Sequence, residues 1–247
     1  MNYLQNKTAI ITGASSGLGA ASARALSALG VRVVAAALDQ KGLDAIVSEL
    51  KNAGGEAVGR VSDVTQLDDM KALAQFAQDA FGSVDILINN AGLMLFSKWE
   101  DLAVDDWEKM INVNIKGYLN GIAGVLPFML KQKSGQILNM DSVAGHQVGP
   151  SAGVYSSTKF FVQAMTESMR KELGVQHGIR VNTISPGVIN TGWADKVTDP
   201  EGRKAAQELN KIAIAPEDIG RAVAYALNQP ANVTVNDLII SPTRQDW

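Results

Sequence analysis

Short apolar runs rich in β-branched residues alternate with longer amphipathic stretches along the whole chain. The short runs predict strands over residues 7–12, 31–36, 57–62, 84–88, 136–140, 179–184 and 237–240. Between them, helical patterns cover 20–29, 42–53, 66–81, 104–131, 155–174 and 216–228, with 192–211 helical in part. This alternation implies a parallel sheet of about seven strands with helices on both faces, a doubly wound α/β architecture. No linker, repeat or low-complexity stretch interrupts it, so residues 1–247 are expected to form one domain.

Composition acts mainly by exclusion. Apolar residues make up 46% of the chain, enough for a sizeable core, and a net charge of −3 argues against nucleic acid or an acidic membrane surface as partner. The absence of cysteine removes disulfides, thiol nucleophiles and thiolate metal sites. Only His146 and His177 could serve a histidine-rich metal centre, so no metal is expected. Residues 1–7 lack the apolar stretch of a signal peptide and no run approaches the length of a membrane span, which leaves a soluble cytoplasmic protein as the expectation.

In an open sheet of this kind, ligands bind beyond the carboxyl ends of the strands. Directly after predicted strands stand Gly13 to Gly19, Asp63, Asn89-Asn90-Ala91-Gly92, Ser142 and Pro186-Gly187. In Gly13-Ala14-Ser15-Ser16-Gly17-Leu18-Gly19 the glycines let backbone approach a pyrophosphate, and the following helix offers free N–H groups and its positive dipole end. No Gly-Lys-Ser/Thr follows, which disfavours a nucleotide-triphosphate loop; a plain glycine-rich turn is the alternative. Tyr155 and Lys159, four residues apart, share one helix face. A phenol ionises near roughly pH 10. A cation beside it lowers that value, so the tyrosine could give or take a proton. A tyrosine stacked beside a solvated lysine would present the same spacing.

In this order and at these intervals, the motifs resemble those of the short-chain dehydrogenases/reductases, in their single-domain main branch, over almost the whole chain. Thr12 to Gly19 is similar to the family's cofactor turn, and Asn89-Asn90-Ala91-Gly92 to the motif that steadies the sheet near the adenine side. Asn114 falls where the family has its catalytic asparagine, and Ser142 stands thirteen positions before Tyr155, as in the family. The resemblance implies a Rossmann-type fold with a cofactor half over about 1–135, a catalytic and substrate half over about 136–247, and a lid near 192–211. It also implies roles. Tyr155 would exchange a proton with the carbonyl oxygen, and Lys159 would depress the Tyr155 pKa and bond the nicotinamide ribose. Ser142 would polarise the carbonyl, and Asn114 would hold a water linking Lys159 to solvent. Ser15, Ser16, Leu18, Asn90, Ala91, Gly92, Pro186, Gly187 and Val188 would line the cofactor, with Asp63 and Val64 at the adenine and Thr191 at the nicotinamide amide or pyrophosphate. Asp63 could instead cap the helix that follows it. Asp141 stands where many relatives carry a small neutral residue; its side chain should point away from Ser142, in a structural role, with tuning of the site as the alternative.

A free ribose 2′-hydroxyl prefers a carboxylate, and a 2′-phosphate needs a cation. Ser16, Leu38 and Asp39 are all non-basic, and Asp39 lies about twenty residues past Gly19, so NAD is expected over NADP. Lys41 is the group that could bind a phosphate instead. The substrate pocket is expected between 93–96 with Met94 and Leu95, 143–151 with Val143 and His146, and the lid with Trp193; His146 would add a polar contact there or else be a structural histidine. These apolar walls suit a ketone or secondary alcohol. Lys196, Arg203 and Lys204 of the lid are read as solvated, with an anionic substrate as the alternative. The expected activity is that of an NAD-dependent carbonyl reductase or alcohol dehydrogenase. Reduction of an imine or activated C=C bond, and dinucleotide sensing without turnover, remain open. The C-terminal segment 239–247 resembles members that reduce small ketones and hydroxy acids, and the family implies a homotetramer.

Overall fold

The computed structural model describes residues 1–197 and 199–246; Thr198, the Lys196 side chain and Trp247 lie outside the described residues. Strands β1 (Thr8–Thr12), β2 (Arg32–Ala37), β3 (Ala57–Val61), β4 (Ile86–Asn89), β5 (Gly135–Met140), β6 (Ile179–Pro186) and β7 (Asp237–Ile240) form one sheet in the order β3-β2-β1-β4-β5-β6-β7. Every pairing is parallel. The helices are α1 (Gly17–Ser27), α2 (Gln40–Asn52), α3 (Leu67–Phe81), α4 (Val104–Ile111), α5 (Gly117–Gln132), α6 (Gly153–Met169), α7 (Val175–His177), α8 (Pro200–Leu209) and α9 (Pro216–Leu227).

Alternate strand residues feed two cores. Ala9 and Ile11 of β1 pack with α1, α2 and α9, while Ile10 packs with α3 and α5. With both faces covered, each central strand must be apolar at successive positions, and this is why these runs stand out in the sequence. Two glycines set the helix spacing on those faces. A Cβ at Gly220 of α9 would come within 2.7 Å of the Ala21 carbonyl oxygen, and one at Gly124 of α5 within 2.6 Å of the Met70 carbonyl oxygen.

β1 lies between β2 and β4, so the chain leaves it towards one edge and later returns to fill the other. The carboxyl ends part at that reversal and leave a crevice for a ligand. One expectation needs correcting here. The helix expected over 104–131 is broken by a π-helical turn at Asn112–Lys116, between α4 and α5. Such a turn widens the helix without a change in composition, so periodicity passes over it.

Candidate active site

The β1–α1 turn is made of backbone. Gly13 and Gly17 have φ of +66° and +54°, in the left-handed region that favours glycine. A Cβ at Gly19 would fall 2.3 Å from the Gly13 carbonyl oxygen, so only glycine lets α1 start this close to the strand end. Ser16 caps α1 in an extended conformation with no side-chain hydrogen bond to the helix. The first N–H groups of α1 therefore lack a capping side chain from Ser16, as suits an anionic ligand. Asn90 fixes the turn from the β4 side: its Nδ2 donates to the Thr12 carbonyl at 2.8 Å and the Gly13 carbonyl at 3.4 Å. The Thr12 hydroxyl accepts from the Asn90 and Ala91 N–H groups at 2.9 and 3.1 Å.

Other expected cofactor residues gather around this turn. Thr191 lies over Gly17, where an added Cβ would sit 3.2 Å from the Thr191 Cβ. Asp39 and Ser15 meet over Gly42: a Cβ there would be 2.5 Å from Asp39 Oδ2 and 2.8 Å from Ser15 Cβ. The Asp39 carboxylate thus stands beside the turn, with Leu38 exposed next to it. A cavity of about 280 Å³ opens along Ser15, Ser16, Gly17 and Thr191 and is bounded further out by Arg24 and Glu49. Arg24 is tied to Glu49 at 2.6 Å. Asp63 does not cap α3, whose N-cap is Gln66; it closes the turn just before the helix, its Oδ1 accepting from the Thr65 N–H at 2.9 Å and hydroxyl at 2.8 Å. Val64 packs against Gly117, and Gly187 and Val188 are closed over by Gln245, whose Oε1 accepts from the Val188 N–H at 3.0 Å.

Tyr155 and Lys159 lie on the buried face of α6, 9% and 4% exposed, against the carboxyl end of β5. Lys159 Nζ donates to the Met140 carbonyl at 2.8 Å and sits 5.9 Å from the centroid of the Tyr155 ring. The Tyr118 hydroxyl donates to that same carbonyl at 2.7 Å. Ser142 caps a short turn by accepting from the Ala144 N–H at 3.1 Å. The π-turn delivers Asn114 to the same place, fully buried. Its Oδ1 accepts from the Leu93 N–H at 2.8 Å, and its Nδ2 donates to the Leu93 carbonyl at 2.8 Å and the Thr158 hydroxyl at 3.1 Å. Both side-chain donors are thus engaged, and a water held by Asn114 would have to use an oxygen.

The electrostatics depart from expectation. Burial pushes the Tyr155 phenol well above its ordinary range; contact with the Ser142 hydroxyl draws it down, and Asp141 raises it further. The expected depression by Lys159 is not realised, because that ammonium is directed at the Met140 carbonyl and desolvation of the phenol prevails. Burial also brings Lys159 down to about 8, with Asp141 drawing it back up.

His146 sits in a polar network, as the structural alternative has it. Its Nε2 hydrogen-bonds Ser185 Oγ at 3.0 Å and Gln163 Nε2 at 3.2 Å, and lies 3.7 Å from Asp141 and 3.5 Å from Asp237. Carboxylates just after β5 and on β7 flank the ring, and the second of them is hidden by sequence separation. The remaining pocket residues do assemble. Tyr155 packs with Leu95 and Met110, bordered by Met94, Phe96 and Ala144. The Trp193 ring meets Phe96 edge-on at 5.8 Å, joining the lid to this wall. Val143 is buried at the start of its turn. The cavity at the glycine turn does not reach Tyr155; it marks where a polar group would enter, not where bonds would change. Tyr118 and Gln163 went unnoticed as site residues. Tyr118 follows Asn114, and Gln163 follows Lys159, by four positions, so helical spacing offered a signal. Among the described residues, no group of three His, Cys, Asp or Glu could hold a metal ion, and no helix is long and apolar enough to cross a membrane.

Residues 7–202 match the family described as short chain dehydrogenase. The chain is 44% identical to an uncharacterized oxidoreductase of Staphylococcus saprophyticus over 247 residues, 99% of each. Among solved structures it is similar to a short chain dehydrogenase/reductase from Burkholderia phymatum in complex with NAD, with TM-score 0.88, 28% identity and coverage of 98% of this chain and 91% of that one. It is also similar to the closed form of a serine dehydrogenase complexed with NADP+, with TM-score 0.88, 30% identity and coverage of 97% and 96%.

Proposed function

The chain belongs to the short-chain dehydrogenase family, and from that premise we propose that it interconverts a ketone and a secondary alcohol with NAD(H), using Tyr155 as the acid and base. The observation that carries this reading is the meeting of Tyr155, Lys159, Ser142 and Asn114 at one end of β5, across the sheet edge from a turn that only glycine can form. The uncapped first turn of α1 and the open backbone at Gly13, Gly17 and Gly19 fit a pyrophosphate, and Asp39 beside Gly42 fits a ribose hydroxyl.

When bound, the nicotinamide supplies or accepts the hydride. The chain's residues handle the proton and the geometry. Tyr155 is protonated at neutral pH because burial disfavours its phenolate, so it is set as the donor to a carbonyl oxygen. The reverse direction requires the phenolate and gains from alkaline conditions. Ser142 contributes a hydroxyl beside Tyr155 that can hydrogen-bond the developing oxyanion. Lys159, charged below about pH 8, holds a positive field behind the phenol and would bond the nicotinamide ribose when the cofactor is bound. Asn114 ties the 93–96 loop to α6 and so keeps the apolar wall against Tyr155. The walls at Leu95, Phe96 and Trp193 favour a substrate with hydrophobic groups beside the carbonyl.

NAD is the proposed cofactor. The cation bordering the cavity, Arg24, is engaged by Glu49, and Asp39 would repel a 2′-phosphate. Thermal unfolding with saturating NAD(H) or NADP(H) tests this. Ligand at about a hundred times its dissociation constant adds roughly 2.7 kcal/mol. A shift with NADP(H) alone would overturn the role of Asp39, and no shift with either would overturn the dehydrogenase reading. A panel of ketones with NADH, followed by loss of absorbance at the reduced nicotinamide band, then identifies the substrate class. Homotetrameric assembly, proposed on family grounds, is checked by light scattering.

A further inference from the structure

Behind Ser142 lies a buried polar cluster that the proposed chemistry does not use. Its centre is Asp141, directly after β5 and 3% exposed. Asp141 Oδ2 accepts from Gln163 Nε2 at 2.5 Å and from Ser185 Oγ at 3.3 Å. Asp141 Oδ1 is buried with no hydrogen-bond partner among the described residues. α6 grips the strand end with two successive turns: Lys159 holds the Met140 carbonyl, and Gln163, four residues on, holds the Asp141 carboxylate.

Lys159 presents the complementary anomaly. It is 4% exposed, and its hydrogen bond goes to a neutral carbonyl. A buried ammonium facing only neutral acceptors gives up its proton readily. We propose that Asp141 is a positioning residue for the reaction, acting through Lys159: its buried carboxylate supplies the counter-charge that keeps the Lys159 ammonium protonated beside Tyr155. The open Oδ1 fits this role, since that oxygen's charge is not quenched by a local donor.

The groups facing Asp141 come from every neighbouring element. Lys159 and Tyr155 lie on α6, Tyr118 on α5, His146 on the turn after β5, and Asp237 on β7. The side chains of His146 and Asp237 are each 30% exposed, so they connect the buried carboxylate to solvent. The mutual effects agree in sign. Burial lifts Asp141 to about 6, and Lys159 is the foremost influence drawing it down. Burial lowers Lys159 to about 8, and Asp141 draws it up. Between those two values the charged form of each partner prevails.

This inference rests on the proposed use of Lys159, and its test separates the two. The full chain is labelled with 13Cε-lysine, the Lys159 resonance is assigned with Lys159→Met, and its titration is followed in wild type, Asp141→Asn and Asp141→Glu. The expected result is a wild-type midpoint near 8, a fall of about one pH unit in Asp141→Asn, and recovery towards wild type in Asp141→Glu. An unmoved midpoint in folded Asp141→Asn would overturn the proposal. Should that variant not fold, Asp141→Ser removes the same charge with a smaller side chain and is judged by the same midpoint. In parallel, the alkaline limb of NADH-linked ketone reduction should fall by the same amount. A limb that stays in place while the resonance moves would overturn the link to the reaction, and would count against the role of Lys159, not against the charge pairing.

Discussion

The two ends of the binding edge are built from different materials. At the β1–α1 turn, recognition is left to backbone: glycines in left-handed conformations, uncapped N–H groups, and one carboxylate standing exposed at the rim. Beyond β5, the same edge is built from buried ionisable side chains, with Tyr155, Lys159 and Asp141 all under a tenth exposed. The first region is intolerant of bulk and indifferent to pH. The second accommodates close isosteres in shape but not in chemistry, and it responds to pH because each buried charge is held against its own desolvation.

Substitutions can break or sharpen that contrast. The largest effect is expected from Tyr155→Phe, which removes one hydroxyl from the side-chain end. Turnover should fall by about a thousandfold while NAD(H) still raises the unfolding midpoint, because the turn is untouched. Retained turnover would remove Tyr155 from the proposed role. Gly19→Ala applies the opposite operation. Its Cβ meets the Gly13 carbonyl oxygen at 2.3 Å, so the turn must open. The expected outcome is destabilisation of about 1–3 kcal/mol and loss of the NAD(H)-induced shift at every pH.

Asp141→Asn should alter stability in a pH-dependent way. The folded-state value of about 6 lies above the ordinary carboxylate value of 3.8, so the wild type loses stability as pH rises between these values and carries a constant penalty above them. That penalty is on the order of 3 kcal/mol at most, partly offset because the carboxylate supports Lys159. The variant should therefore match wild type below pH 4 and become the more stable of the two through pH 6, read from denaturant midpoints. A gap that is independent of pH would contradict the buried-charge account. The smallest effect is expected at the rim: Asp39→Asn should tighten NADP(H) binding by about tenfold, or 1.4 kcal/mol, and weaken NAD(H) binding as the ribose hydroxyl loses its charged acceptor, measured by fluorescence titration. An unchanged ratio would take cofactor choice away from Asp39.

Much of this molecule was legible in its residue order. Strand positions followed from apolar runs because both sheet faces are covered. The glycine turn, Ser142 and the Tyr155–Lys159 pair each lie in local patterns of fixed spacing. What failed was non-local. The break at Asn112–Lys116 leaves composition unchanged, yet it carries Asn114 to Leu93 and Thr158. For His146 the residue order left a substrate contact and a structural role equally open, and only the fold shows β7 bringing Asp237 alongside it.

The sequence by itself determined the doubly wound order of elements and which residues stand at strand ends, since both depend on neighbours within a few positions. Tertiary structure alone decided the charge states. Whether Tyr155 is lowered by a lysine or raised by burial depends on how much water the packed elements exclude and on where Lys159 finds its acceptor. Desolvation is a property of the whole enclosure, so no spacing between two residues can report it.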